Sequence, residues 1–148
     1  MRIIGLDLGT RTLGIAISDQ TETIATYYKT IRFMEGDFMS ALEEVKKIIN
    51  EENIGLIVLG LPKNMNNSVG ESAIRTLNFK EKLEELCNLP VEVQDERLST
   101  VEANHYLVAS DMSRKKRKKK IDGVAASIIL QTFLDKRKVV MHGRKDDI

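Results

Sequence analysis

One cysteine, two histidines and no long apolar run narrow this 148-residue chain before any motif is read. Cys87 has no second thiol, so no intramolecular disulfide staples the fold, which suits a reducing compartment. No apolar stretch approaches the roughly 20 residues of a membrane span, and no basic region leads into an apolar signal core at the N-terminus. A cytoplasmic protein without membrane contact is expected. His105 and His142 have no metal-ligand spacing with Cys87, and HExxH, P-loop and GxGxxG patterns are all missing. Histidine-based catalysis and glycine-loop phosphate binding therefore find no support.

What is present describes a globular domain. Hydrophobic residues make up 42% and charged residues 30%, and the length suits one core rather than two lobes. The organisation expected is one domain over residues 1–138 with a tail over 139–148, less ordered than the rest. The net charge of +1 conceals a continuous run of seven basic residues over 114–120, with Arg114, Lys116 and Lys120 among them, so the remainder of the chain is acidic. Such a block is either a solvated loop or a phosphate-binding footprint, and its place beside Asp122 favours nucleic-acid contact.

The stretch that most needs explaining is Ile4-Gly5-Leu6-Asp7-Leu8-Gly9-Thr10. Two short apolar runs on either side of a Gly- and Thr-containing turn predict an antiparallel hairpin, which sets Asp7 between two leucines on a covered strand. A carboxylate is buried only when it is paired, protonated or bound to metal. Asp7 is thus either a structural acid that serves the following turn or a metal ligand or catalytic acid.

Further along, residues 24–33 predict a third strand, and Asp37 is placed to cap a helix with Phe38, Leu42, Val45, Ile48 and Ile49 on one face. Leu56-Ile57-Val58-Leu59 reads as a strand buried on both faces and parallel to the first. A polar loop over 61–70, either a surface connection or a ligand contact, leads to a helix patterned by Ile74, Leu77, Leu83 and Leu86. Residues 91–95 form a fifth strand that delivers Asp95, Glu96 and Arg97. Ser99-Thr100-Val101-Glu102 has the form of a capping box, and Ile121, Val124, Ala125, Ile128 and Phe133 mark a last helix.

This order predicts an α/β fold: a mixed five-stranded sheet, three antiparallel strands then two parallel, flanked by helices. It lets Asp7, Glu96 and Asp122 converge at one end of the sheet. Two carboxylates ~5 Å apart repel by about 3 kcal/mol at an effective dielectric of ~20, a cost that a divalent cation offsets. Oxygen ligands suit Mg²⁺ or Mn²⁺, and the chemistry expected is metal-dependent phosphodiester hydrolysis. Each acid also has a plain alternative: Glu96 as a surface ion-pair partner, Asp122 as a helix-dipole residue, Asp19 as a turn residue. Asp95 points away from Glu96 if strand alternation continues.

Taken together, Gly5 to Thr10, Gly14 to Asp19, Gly60-Leu61-Pro62 with Asn64 to Gly70, Asp95 to Thr100, and Asp122 to Ala126 resemble the YqgF family. These are RNase H-like proteins described as pre-16S rRNA nucleases and Holliday junction resolvase-like proteins. The resemblance covers nearly the whole chain. It implies an RNase H-like fold, a divalent metal held by Asp7, Glu96 and Asp122, and phosphate contacts from Arg97 and Lys120. The implied partner is nucleic acid, either pre-16S rRNA or branched DNA, bound by a monomer or homodimer.

Two other classes remain in view. Asp7-Leu8-Gly9-Thr10 also resembles the first phosphate loop of actin-type and sugar-kinase ATP-binding proteins, but those need two lobes. A non-catalytic nucleic-acid-binding ribosome assembly factor would use the basic block and need no metal.

Overall fold

A computed structural model describes residues 1–61, 70–95 and 124–137. The β-rich N-terminal third forms three strands, β1 (Arg2–Leu8), β2 (Thr12–Ser18) and β3 (Ala25–Arg32). Helix α1 (Phe38–Glu52), strand β4 (Ile54–Leu61), helix α2 (Glu71–Cys87) and strand β5 (Val91–Asp95) follow, and a third helix, α3, spans 124–137. The sheet order is β3-β2-β1-β4-β5. β1 is antiparallel to β2 and parallel to β4, β2 is antiparallel to β3, and β4 is parallel to β5. This is the mixed sheet that the sequence pattern predicts.

The strand period of two divides the core cleanly. Ile4, Leu6 and Leu8 of β1, with Leu13, Ile15, Ile17, Ile57 and Leu59, pack beneath α1 and α2. Ile3 of β1, with Ala16, Leu56 and Val58, packs under α3 through Ala126, Ile129, Leu130 and Leu134. β4 is covered on both faces, as its unbroken apolar run requires.

Both flanking helices near the candidate site sit differently from the expected faces. α2 buries Ala73, Thr76, Phe79 and Leu83 and leaves Ile74 and Leu77 exposed. The Thr76 hydroxyl is satisfied by the Ser72 carbonyl at 2.8 Å, and Phe79 packs edge-on against Phe38 of α1. In α3 the buried stripe is Ala125, Ala126, Ile129, Leu130 and Leu134, while Val124, Ile128 and Phe133 are only partly covered. At α1, the expected inner face holds, with Ala41 added. Asp37 stands at its N-cap but makes no capping bond; its carboxylate accepts from the Ser40 hydroxyl at 2.8 Å instead. The capping-box helix expected from Ser99 lies outside the described residues.

Candidate functional site

Asp7 is the half-buried acid near the carboxyl end of β1, on the face that α3 covers. It stands opposite Gly14 of β2. One step beyond the Leu6 and Leu59 pair brings it beside Gly60 of β4. Neither neighbouring strand therefore places a side chain next to the carboxylate. Gly60 in turn faces Gln94 of β5, a buried amide on this same face, and Gly14 faces Thr30 of β3. A row of polar groups separated by two glycines thus crosses the sheet at the level of Asp7.

The turn beyond Asp7 is tight for a local reason. The Gly9 amide donates to the Thr12 carbonyl at 2.7 Å, and a Cβ on Gly9 would lie 2.9 Å from Thr12 Oγ1. The Phe33 amide donates to the Arg11 carbonyl at 3.0 Å and ties the turn to the end of β3.

α3 runs antiparallel to β1. Its last described residue, Arg137, pairs with Glu22 at 3.5 Å, and Glu22 also meets the Met1 ammonium at 3.6 Å, so the helix ends beside the start of β1. Gln131 accepts from the Ala25 amide and donates to the Thr23 carbonyl, both at 2.9 Å. Earlier in the helix, Ala126 and Leu130 sit over Gly5, where a Cβ would come within 2.7 Å of Leu130 Cβ. The N-terminal end of the described part of α3 therefore lies towards the end of the sheet that carries Asp7.

Of the expected site residues, the structure positions Asp7. Asp95 closes β5 opposite Leu61. Glu96, Arg97, Arg114, Lys116, Lys120 and Asp122 lie outside the described residues, as does most of the polar loop over 61–70. Among the described residues no group of three His, Cys, Asp or Glu side chains is arranged to hold a metal. The local chemistry still fits a hard cation: the Asp7 carboxylate supplies oxygen, and the positions beside it on both neighbouring strands are glycines.

Asp19 is not part of this site. It lies at the opposite end of the sheet, where its carboxylate accepts from the Ile24 amide at 2.9 Å, the Thr21 hydroxyl and the Thr23 amide at 2.8 Å. Those bonds, the Ile24 amide foremost, hold its carboxyl well below the usual range. A cleft of about 420 Å³ at that end, lined by Met1, Arg2, Gln20, Glu51, Glu52 and Asn53, is bridged by an Arg2 to Glu52 ion pair at 2.7 Å. Cys87 is half-buried and its thiol is pushed up by that burial, which disfavours a thiolate nucleophile.

A sheet of this order with helices on both faces is the RNase H-like architecture of Holliday junction resolvases. The structure of Thermus thermophilus RuvC in complex with a Holliday junction matches with a TM-score of 0.60 over 93% of this chain and 96% of that one, at 12% identity. The fowlpox virus resolvase matches with a TM-score of 0.52 over 92% and 98%, at 15% identity. The chain belongs to the RuvX Holliday junction resolvase family, whose model matches residues 1–136. Relatives named "Putative pre-16S rRNA nuclease" are 47% identical in Oceanobacillus iheyensis, over 93% of this chain and all of that one, and 45% identical in Caldanaerobacter subterraneus, over 93% and 99%. Among the described residues no helix is long and apolar enough to cross a membrane.

Proposed function

We propose that this chain is a metal-dependent endonuclease that hydrolyses phosphodiester bonds in 5′-end processing of the small-subunit rRNA precursor, in the cytoplasm. The observation that carries the reading is Asp7, a half-buried carboxylate near the strand end, paired with Gly14 and one step beyond the Leu6 and Leu59 pair that precedes Gly60. RNA is favoured over branched DNA as the substrate because relatives of near-equal length at 45–47% identity carry the rRNA nuclease name. The family description, Holliday junction resolvase, supports junction DNA as the second reading.

Asp7, Glu96 and Asp122 are the residues that would hold Mg²⁺ or Mn²⁺. Two features of the fold support the last two. Gln94 faces the same side as Asp7, and Glu96 follows it by two residues in the sequence. The described part of α3 has its N-terminal end towards the Asp7 end of the sheet, and Asp122 lies two residues before it in the sequence. A divalent ion supplies water activation and charge stabilisation at the leaving oxygen. The protein's own part is positional. Asp7 is fixed by its strand pairing with Gly14, while Arg97, Arg114, Lys116 and Lys120 would bind phosphates and hold the strand in register without reading its sequence.

The test is incubation of a labelled 16S precursor fragment and a four-way DNA junction with the protein in Mg²⁺ or Mn²⁺. Metal-dependent cutting of the RNA is expected. Cutting of the junction alone would establish the second reading, and binding of either substrate without cutting under any metal condition would make the protein a non-catalytic assembly factor.

A further inference from the structure

Tyr27 and Tyr28 are neighbours on the edge strand β3, yet they project from opposite faces into different surroundings. The pairing of β2 with β3 slips between Ile15 and Ala16: Ile15 faces Lys29, Ala16 faces Tyr27, and Tyr28 is the extra residue of a bulge. Tyr28 and Lys29 reach towards α1, where the Tyr28 hydroxyl donates to Glu52 at 3.3 Å and Lys29 pairs with Glu44 at 3.5 Å. Contacts with α1 account for both.

Tyr27 has no such account. In a regular strand, residues three apart point to opposite faces, but the inserted residue returns Tyr27 and Thr30 to the same one. Their hydroxyls lie 2.9 Å apart. That face is the one bearing Asp7, because Thr30 stands opposite Gly14 and Gly14 opposite Asp7. Two strand spacings, about 10 Å, separate Asp7 from Thr30, and Gly14 places no side chain between them. Tyr27, two pairs further along opposite Ala16, is 48% exposed. An aromatic ring left in water, tethered at its hydroxyl and placed on the flank of a catalytic acid is a surface on which a base can stack.

We propose that Tyr27 is a stacking platform for an unpaired base of the nucleic-acid strand that passes Asp7, with Thr30 setting the orientation of the ring. The proposal takes its ligand class from the nuclease reading but does not depend on cleavage.

Binding of a fluorescein-labelled single-stranded RNA from the 16S precursor is measured by anisotropy in EDTA, with the full chain as wild type, Tyr27→Ala and Tyr27→Phe. Tyr27→Ala weakens binding about 5- to 100-fold, the range for loss of one base–aromatic stack, and Tyr27→Phe stays within about twofold because the ring remains. Melting temperatures of both variants stay close to wild type, since the ring is not core. The chain has no tryptophan, so Tyr27→Trp adds a single reporter whose emission is quenched saturably by the RNA. Binding by Tyr27→Ala within twofold of wild type, equal losses in the Ala and Phe variants, or an unquenched tryptophan at saturation would each overturn the platform. Cleavage by wild type in Mg²⁺ or Mn²⁺ is scored separately. Cutting with unaltered Tyr27→Ala binding rejects the platform and keeps the nuclease, whereas quenching without cutting rejects the nuclease and keeps the platform.

Discussion

Gly5 of β1 lies directly beneath Leu130 of α3, so close that a Cβ at Gly5 would sit 2.7 Å from Leu130 Cβ and 3.4 Å from the Ala126 carbonyl oxygen. This contact sets the height of α3 over the sheet two residues before Asp7. The neighbour is a Cβ bonded directly to the backbone of a packed helix, so it cannot swing aside as a flexible side-chain tip would. Gly5→Ala is expected to cost about 1–3 kcal/mol through overpacking, seen as a lower midpoint in urea unfolding at unchanged slope. A larger loss of nuclease activity than of stability is also expected, because the shift moves the helix start relative to Asp7.

Ser18 makes a second prediction. Its buried hydroxyl accepts from the Ile3 amide at 2.9 Å and donates to the Asp19 carbonyl at 3.0 Å. Ser18→Ala leaves a buried amide without its acceptor, a loss of about 1–3 kcal/mol. Thermal denaturation should show a melting point several degrees lower, with cleavage at permissive temperature unaffected.

The Asp19 turn gives stability a pH signature. Hydrogen bonds from Ile24, Thr21 and Thr23 lower this carboxyl's pKa on folding. The contribution is therefore fully present above the unfolded value near pH 4 and is lost as pH falls through the folded value. Unfolding free energies of wild type and Asp19→Asn should differ by a constant amount from pH 8 to pH 5. The gap should narrow below about pH 4; a gap that widens on acidification would contradict the assignment.

Helix α2 separates exposed from buried apolar residues. Ile74 and Leu77 face solvent, whereas Phe79 is 1% exposed and packs on Phe38. Ile74→Gln and Leu77→Gln should each change stability by less than about 0.5 kcal/mol, while Phe79→Ala should cost about 3–5 kcal/mol. Chemical denaturation of the three variants checks the difference.

Much of the fold was legible because strand and helix periods are local. The single acid inside the first apolar run marked Asp7, and the run at Leu56 to Leu59 marked a strand buried on both sides. On α2 the apolar spacing finds Leu83 and Leu86 but not the exposure of Ile74 and Leu77, and on α3 it finds Ala125 but not Ala126, Ile129, Leu130 and Leu134, because spacing alone does not show that Gly5 admits Ala126 and Leu130 close to the sheet. Asp37 looked like a cap because the residue type is right, but Ser40 competes for its carboxylate. The Tyr27 and Thr30 pair was hidden because it depends on a bulge, a property of two strands in register and not of either alone. Gly14 and Gly60 were visible as glycines, but only the pairing puts both beside Asp7.

The central claim is that Asp7 is a catalytic carboxylate and not a structural one, and Asp7→Asn tests it most directly. The side chain keeps its size and loses its charge. Cleavage of the precursor RNA in Mg²⁺ or Mn²⁺ is expected to fall by at least about 10³-fold, the several kcal/mol that a metal-bound site contributes to the transition state. The metal-free melting temperature should be unchanged or higher. A variant that still cuts at near wild-type rate, or that loses several degrees of stability without metal, would contradict the account and make Asp7 a structural acid of the β1 strand end.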